Sequence, residues 1–292
     1  MIDISLPPPN LILHDYDYMF FKGVTTSNYY QDNRDNPDID LLSHIDEIDE
    51  HIQSIDKQLM APLNWMNAEV KRFITVKDDK NEYHRHKFYP QYKANRVQKT
   101  VTPASILNDK TQVAIKVLKD IYKSRGCLYQ PGIEADDLVG SGVSQSLTDT
   151  SYLVIGQDKD LRTLPNIYLY DTYKNTYTYT TIDDATYYTQ YQMVVGDTSD
   201  GYPGIPGIGE AKFPKLFGNK ALPWGEYIPI YTELCTIQKK DEFCRNNPYT
   251  YMALMYKLAH ILHPGELLDN NTIIKYKYPF NYTDNYGCPM EK

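Results

Sequence analysis

Short apolar runs alternate with longer segments of helical periodicity along the first two thirds of the chain. Residues 11–14, 73–76 and 152–155 have the length and composition of buried strands. Residues 167–170 alternate tyrosine with isoleucine and leucine, and residues 177–181 alternate tyrosine with threonine, a pattern that predicts the two strands of a hairpin. Strands interspersed with helices predict an α/β fold with a central, mostly parallel sheet flanked by helices.

The helical segments are marked by apolar residues that recur every three or four positions. This spacing predicts helices over about 41–59, 102–124, 134–147, 183–195 and 249–262. The chain has 292 residues, of which 41% are hydrophobic, and a length of roughly 150 residues per domain suggests one or two domains. We expect two, with a boundary between residues 195 and 196.

The charge, the cysteine content and the lack of long apolar segments exclude several classes of protein. The first residues lack a basic region followed by a long apolar run, and no apolar stretch approaches the roughly 18 residues of a membrane span. The four cysteines form neither a Cys-x-x-Cys pair nor a zinc-ligand spacing. We therefore expect a soluble intracellular protein with reduced thiols. Its net charge of −8 argues against nucleic acid unless the acidic residues are clustered.

Acidic residues do cluster at the ends of the predicted strands. Asp15 and Asp78 follow the first two strands, and Glu134-Ala-Asp-Asp137 opens a predicted helix. Ligands of open α/β sheets bind beyond the carboxyl ends of the strands. Each residue also has a structural explanation, as a turn carboxylate or as a complement to the helix dipole.

A second acidic pair follows the third strand. Asp158 and Asp160 are two residues apart, so both would point to the same side if the segment were extended, as paired metal ligands must. Asp197 and Asp200 form a third group before a glycine-rich segment. Three acidic groups in one predicted architecture favour a metal site over isolated turn residues.

Two segments have the composition of nucleic-acid contacts. Residues 84–96 interleave cations with aromatic side chains, as expected of a phosphate-contacting segment, although a solvated charged face is the alternative. Residues 203–215 combine closely spaced glycines with lysines, which allows backbone amides to approach an anion. The candidate DNA-binding residues in the two segments are Arg85, Tyr92, Lys93, Arg96, Gly204, Gly207, Gly209, Lys212 and Lys215.

Together and in this order, these segments resemble the 5′ nuclease family of flap endonucleases and 5′-3′ exonucleases, including its phage ribonuclease H-like members. The resemblance spans about residues 11–262 and includes Tyr92-Lys-Ala-Asn-Arg96 and Gly156-Gln-Asp-Lys-Asp-Leu161. It implies a PIN-like nuclease domain over 1–195 with a helical arch at about 93–130, and a helix-three-turn-helix DNA-binding region within 196–292. The metal ligands implied by the family are Asp15, Asp78, Glu134, Asp136, Asp137, Asp158, Asp160, Asp197 and Asp200, and the implied catalytic cations are Lys93 and Arg96.

The resemblance also implies an activity and its cofactors. The family hydrolyses DNA phosphodiester bonds with two Mg²⁺ ions, for which Mn²⁺ can substitute, and its helix-three-turn-helix often holds K⁺. The expected partners are DNA with a 5′ flap or 5′ end, RNA–DNA hybrids and replication proteins. We expect a monomer in a host cytoplasm, acting on flaps or RNA primers in phage-type replication.

Two other classes of function remain open at this stage. One is a catalytically idle protein that binds DNA with the same fold, and the other is a ribonuclease of the related PIN type. The chain also departs from the family pattern. His14 and Tyr16 flank the first aspartate in place of an apolar residue and a glycine, and Phe213-Pro214 interrupts the helix expected after Gly209.

Overall fold

A five-stranded sheet organises the first part of the computed structural model, which describes residues 9–36, 38–96, 103–143, 151–172, 174–267 and 274–280. Its strands are β1 (Leu11–Asp15), β2 (Glu69–Phe73), β3 (Tyr152–Ile155), β4 (Ile167–Asp171) and β5 (Thr176–Thr180). They lie in the order β2-β1-β3-β4-β5, with β4 and β5 antiparallel and the other neighbours parallel. The predicted α/β class with a mostly parallel sheet is confirmed.

The described residues also form ten α-helices. They are α1 (Asp17–Thr26), α2 (Asn28–Asn33), α3 (Ile45–Met60), α4 (Pro103–Ser124), α5 (Ala135–Gly142), α6 (Ile182–Val195), α7 (Phe213–Phe217), α8 (Trp224–Thr236), α9 (Glu242–Asn246) and α10 (Pro248–Ala259). The periodicity therefore predicted α3, α4, α6 and α10 correctly. α5 begins as predicted but ends at Gly142, because Val143 is extended. Residues 144–147 of the predicted helix lie outside the described residues.

The second strand differs from its prediction. β2 ends at Phe73, whereas residues 73–76 were expected to form the strand. Beyond Phe73 the chain leaves the sheet, and the Ile74 amide donates to the Leu128 carbonyl at 3.0 Å. β2 is the edge strand beside β1, and most of its residues are half-exposed. Its sequence is therefore charged rather than apolar, and a search for apolar runs does not find it.

Both faces of the sheet are covered by apolar side chains. Leu13 and Val154 face α5 and contribute to a core with Phe73 and Val139. Alternate residues of the same strands, such as Ile12, pack on the opposite face. This burial on both sides fits the nearly continuous apolar sequences of β1 and β3.

Helix α4 is packed on α1 and α3. Its Ala114, Leu118 and Tyr122 share a core with Tyr16 and Phe20. Of the predicted arch, residues 103–124 therefore form a helix that packs against α1 and α3. Residues 97–102 lie outside the described residues, so the arch remains a prediction.

The C-terminal helices form a core of their own that reaches back to the half of the chain that contains the sheet. Met193 and Val194 of α6 pack there with α8 and α10, and so does Tyr92. The predicted domain boundary thus falls at the end of a helix whose last residues belong to this core. Cys127, Cys235 and Cys244 are buried free thiols. Among the described helices, none combines the length and apolar character needed to cross a membrane.

Candidate active site

Four of the predicted acidic residues line one cavity of about 330 Å³ at the carboxyl ends of β1 and β3. They are Asp15, Glu134, Asp136 and Asp158. Asp15 is the last residue of β1, and Asp158 caps the 3-10 helix Lys159–Thr163 by accepting a hydrogen bond from the Asp160 amide at 2.9 Å. The sheet topology therefore brings together residues that are more than 140 positions apart.

Helix α5 supplies the other two carboxylates. Glu134 is its N-cap residue and Asp136 lies in its first turn. The Ala135 amide donates to Thr75 Oγ1 at 2.8 Å, which fixes the start of α5 beside the end of β2. Glu134 and Asp136 consequently face the cavity next to Asp15.

The cavity concentrates negative charge in a buried place. Burial, with the neighbouring charges of Asp17 and Asp158, raises the pKa of Asp15 to about 8. Burial and the charges of Asp137 and Glu134 raise the pKa of Asp136 well above its usual value, and burial raises that of Asp158. These shifts are the response of crowded carboxylates that lack enough counter-charge. The cavity is thus suited to cations.

Lys93 supplies one counter-charge at the edge of the cavity. Its ammonium group bonds to Glu134 Oε1 and lies 3.7 Å from Asp200 Oδ1. Burial alone would raise the pKa of Glu134, but Lys93 and Arg85 lower it to about 2. Lys93 has a left-handed φ of 56°, and its amide donates to the Asp200 carbonyl at 2.8 Å. Strain of this kind is frequent at functional sites.

Arg96 is the second predicted cation at this cavity. Its guanidinium donates to Asp200 Oδ1 at 2.7 Å, and its side chain is 55% exposed. Asp200 thus orients both cations rather than lining the cavity. The cationic rim is accessible to an anion arriving from solvent.

Asp137 faces away from the cavity, although its neighbour Asp136 lines it. The Asp137 carboxylate accepts hydrogen bonds from Arg85 at 2.6 and 3.0 Å and from the Leu262 amide at 3.0 Å. Arg85 also donates to Glu134 at 2.7 Å and to the His260 carbonyl at 2.9 Å. Arg85 is only 2% exposed, so its predicted contact with DNA is wrong.

Tyr92 is likewise buried, with 2% of its surface exposed. Its hydroxyl donates to Glu134 at 3.0 Å or to Asp200 at 2.7 Å. The predicted contact of Tyr92 with DNA is therefore contradicted by its burial, because its ring belongs to the interior. Tyr92 instead links the two acidic residues that contact Lys93.

Asp160 and Asp197 are occupied by other protein groups. The segment after β3 is a 3-10 helix, so the prediction of an extended segment that aligns Asp158 with Asp160 is wrong. Asp160 bonds to the Gln192 amide group instead. Asp197 accepts from the Ser199 amide and hydroxyl, each at 2.6 Å, and pairs with Lys159 at 2.9 Å.

Asp78 does not line the cavity. Its Oδ1 accepts hydrogen bonds from the Lys80 and Glu82 amides at 3.0 and 2.9 Å, which makes it a turn carboxylate. Asp17 and Thr75 line the cavity in its place. Sequence reasoning missed Asp17, although its position two residues after Asp15, at the start of α1, was a usable signal.

Among the described residues, no three or more carboxylates, histidines or cysteines are arranged so that they could hold a metal ion. The interaction of Glu134 with Lys93 is one physical reason. Metal binding in the cavity would require side-chain rearrangement. Its oxygen donors nevertheless have the chemistry that hard divalent cations prefer.

The glycine-rich segment divides into a packed part and an exposed part. Gly204 has a φ of 60°, and a Cβ there would lie 2.3 Å from the Val194 carbonyl oxygen, so this glycine is required by packing. Gly207 and Gly209 are exposed, and a Cβ on either would meet nothing within 4 Å. Lys212 donates to the Gly207 carbonyl at 2.8 Å, and the exposed Lys215 follows it.

The helix after these turns is short. It begins at Phe213 with Pro214 in its first turn and has five residues. The sequence departure at Phe213-Pro214 therefore shortens and delays the helix rather than removing it. Gly207, Gly209, Lys212 and Lys215 form the exposed glycine-lysine surface.

The sequence of this chain is similar to those of known 5′-3′ exonucleases. Residues 59–192 match the family model of the 5′-3′ exonuclease N-terminal resolvase-like domain. The chain is 29% identical over 168 residues to an exodeoxyribonuclease of Enterobacteria phage T3, covering 56% of this chain and 50% of that protein. It is 30% identical over 152 residues to a 5′-3′ exonuclease of Buchnera aphidicola, covering 48% and 50%. The chain spans about half the length of these curated relatives.

The fold is similar to that of a solved structure of phage T5 5′-exonuclease with bound zinc ions. The TM-score is 0.53 at 17% identity, and the likeness covers 85% of this chain and 88% of that chain. At this identity, the comparison concerns the fold alone. Residues 59–192 therefore resemble the 5′-3′ exonuclease N-terminal domain in sequence, and the chain as a whole resembles the T5 5′-exonuclease in fold.

Proposed function

We propose that this protein is a metal-dependent 5′ nuclease that hydrolyses DNA phosphodiester bonds at 5′ ends or flaps. The observation that carries the proposal is the convergence of Asp15, Glu134, Asp136 and Asp158 on one cavity with Lys93 and Arg96 at its edge. The phage T3 and Buchnera relatives are named as exonucleases, and the T5 neighbour was solved with divalent metal ions.

The carboxylates fit a divalent cation through their chemistry. They offer only oxygen donors, and the pKa of Asp15 is raised to about 8 by burial and by neighbouring negative charge. A bound cation would relieve this repulsion, since its charge favours the ionised carboxylates. We assign Asp15, Glu134, Asp136 and Asp158 to two Mg²⁺ ions, which Mn²⁺ can replace. Such ions, when bound, activate a water nucleophile and stabilise the leaving oxygen.

Lys93 and Arg96 are the side chains that would bind the scissile phosphate. Arg96 is 55% exposed beside the cavity, and Lys93 is held there by Glu134 and Asp200. Both cations are positioned to stabilise negative charge on a scissile phosphate, which is the role of preorganised donors in phosphoryl transfer. Glu134, which now contacts Lys93, would be one of the residues that hold a divalent ion, and Lys93 would then be free to contact the phosphate.

The exposed glycine-lysine surface would bind the duplex part of the substrate. Exposed glycines let backbone amides approach a phosphate, and Lys212 and Lys215 add positive charge. We place this task in residues 196–292 and the chemistry in residues 1–195, with K⁺ as a candidate ligand of the turns. We propose that the protein acts as a monomer alongside replication proteins.

Cleavage of end-labelled substrates tests the proposal. A 5′ flap, a nicked duplex and an RNA primer annealed to DNA are each incubated with the protein, with and without Mg²⁺. We expect Mg²⁺-dependent release of 5′ products from at least one DNA substrate. Binding without cleavage would identify an idle DNA-binding protein, and cleavage confined to RNA would identify a ribonuclease.

A further inference from the structure

A carboxylate outside the predicted set borders the cavity. We propose that Asp17 is a metal-binding residue of this site, and that it replaces at the end of β2 the carboxylate that the sequence assigns to Asp78. The assignment rests on the proposed metal-dependent function. It adds one residue of this chain to the four that converge from β1, α5 and the segment after β3.

The position of Asp17 is fixed by the backbone of β2. Its Oδ1 accepts a hydrogen bond from the Thr75 amide at 3.0 Å, two residues beyond the last residue of the strand. The Asp17 amide in turn donates to Asp15 Oδ1 at 3.2 Å. The side chain therefore reaches from the start of α1 across the end of β2, and both aspartates line the same cavity.

The chain after Thr75 carries Asp78 away from this position. The Gly132 amide donates to the Val76 carbonyl at 2.8 Å, which directs the segment toward residues 131–133. The Asp78 amide then donates to the Glu82 carbonyl at 3.1 Å, and the Asp78 carboxylate closes the turn. Asp78 therefore lies outside the residues that line the cavity, whereas Asp17 lines it.

Lys119 of α4 makes the assignment testable. Its ammonium lies 2.7 Å from Asp17 Oδ1 and 2.9 Å from the Thr75 carbonyl oxygen. The Asp17 side chain is 30% exposed, so this ion pair remains open to exchange. If Asp17 binds metal, Lys119 competes with the metal for the same carboxylate. Removing Asp17 and removing Lys119 should then change metal affinity in opposite directions.

The experiment measures Mn²⁺ binding by the whole protein, with the free ion followed by electron paramagnetic resonance. The variants are Asp17→Asn, Lys119→Met, Asp78→Asn and, as a surface control, Asp120→Asn, whose parent residue pairs only with its helix neighbour Lys123 among the contacts described. We expect Asp17→Asn to weaken Mn²⁺ binding about tenfold or more. Lys119→Met should tighten it severalfold, and the other two variants should stay within about twofold of wild type.

The outcomes separate this assignment from the function on which it rests. Wild-type affinity in Asp17→Asn, or a loss in Asp78→Asn instead, would overturn the assignment while wild-type flap cleavage with Mg²⁺ still stood. Weakened Mn²⁺ binding in Lys119→Met would make the ion pair a structural contact and would also count against it. Lys119→Met keeps the test decisive if Asp17→Asn does not fold. Absence of Mn²⁺ binding and of Mg²⁺-dependent cleavage in the wild type would overturn both.

Discussion

The guanidinium of Arg85 grips the carboxylate of Asp137 through two hydrogen bonds, at 2.6 and 3.0 Å, in the interior of the protein. Neither side chain is accessible, with exposures of 3% and 0%. Asp136, the preceding residue, faces the cavity instead. Two neighbouring aspartates of one acidic motif therefore have separate tasks, one in the site and one in the fold.

We therefore expect Asp137→Asn to lower the stability of the protein and Asp136→Asn to lower its activity. Asp137→Asn leaves Arg85 buried without its main counter-charge, and loss of one partner of a buried pair costs about 3–5 kcal/mol. Asp136→Asn removes a carboxylate whose pKa is raised by burial and by its acidic neighbours, so the free energy of unfolding should stay the same or rise. Urea unfolding without divalent metal measures both effects.

The two variants should also differ in metal-dependent cleavage. Asp136→Asn should lose metal-dependent cleavage, because it removes a proposed ligand without disturbing the fold. Asp137→Asn, assayed well below its melting temperature, should retain more activity than Asp136→Asn. A stable Asp137→Asn protein that has lost Mn²⁺ binding would show that Asp137, too, acts as a ligand.

Lys93→Met should reduce the turnover rate more than it weakens DNA binding. The ammonium contacts Glu134 and lies 3.7 Å from Asp200. In the proposed function it is held where charge would develop on the scissile phosphate. Loss of a preorganised donor at the reacting group costs about 100-fold or more in rate, whereas one phosphate contact among several adds little affinity. Single-turnover cleavage and equilibrium binding of the same flap separate the two quantities.

The matched control for Lys93→Met is Lys80→Met, which removes an exposed lysine from the turn closed by Asp78. Both variants lose one positive charge, so any general electrostatic effect on DNA binding appears in both. An unchanged single-turnover rate in Lys93→Met would exclude the proposed role at the phosphate.

The glycine-rich segment predicts a contrast between Gly209→Val and Gly204→Ala. A side chain at Gly209 meets nothing within 4 Å, so the free energy of unfolding should change by no more than about 0.5 kcal/mol. A Cβ at Gly204 would lie 2.3 Å from the Val194 carbonyl oxygen, on a backbone with φ of 60°, and should destabilise the protein by about 2 kcal/mol or more.

Binding assays complete this contrast. Gly209→Val should weaken binding of duplex DNA and leave cleavage of short single strands nearly unchanged, since the exposed glycine-lysine surface is the proposed duplex grip. Equal losses on both substrates would instead assign Gly209 to the shape of the active site.

His84 predicts a loss of stability in mild acid. Burial and the charge of Arg85 lower its pKa to about 4, although Asp137 opposes the shift. The unfolded chain binds a proton at its ordinary pKa of 6.5, so between pH 6.5 and 4 the folded state holds fewer protons than the unfolded state. The free energy of unfolding therefore falls as the pH falls through that window, by up to about 3 kcal/mol from this residue.

A variant isolates the contribution of His84 from those of the other acid-titrating groups. His84→Gln cannot become charged, but its amide can still bond to the Tyr276 hydroxyl, which lies 3.0 Å from the His84 ring. Unfolding in urea at pH 7, 5.5 and 4.5 should give a shallower decline for the variant than for the wild type. Parallel declines would show that His84 is accessible to protons in the folded state.

The local elements of this protein are largely determined by its sequence. Apolar runs of four residues identify β1 and β3, and tyrosines at alternate positions identify the β4–β5 hairpin. Three- and four-residue spacing of apolar residues identifies α3 and α4. These signals are strong because each element buries a face, and burial selects apolar residues at the period of the element. The order of the acidic groups along the chain likewise points to a site at the carboxyl ends of the strands.

Which acidic residues reach that site is decided by the tertiary structure. Asp136 and Asp137 differ only in their phase on α5, and Asp158 and Asp160 diverge because the segment after β3 turns into a 3-10 helix. The end of the edge strand β2, whose polar sequence hides it, determines that Asp17 borders the cavity. The direction of a side chain depends on backbone geometry and on long-range partners, and neither is expressed in the spacing of residues along the sequence.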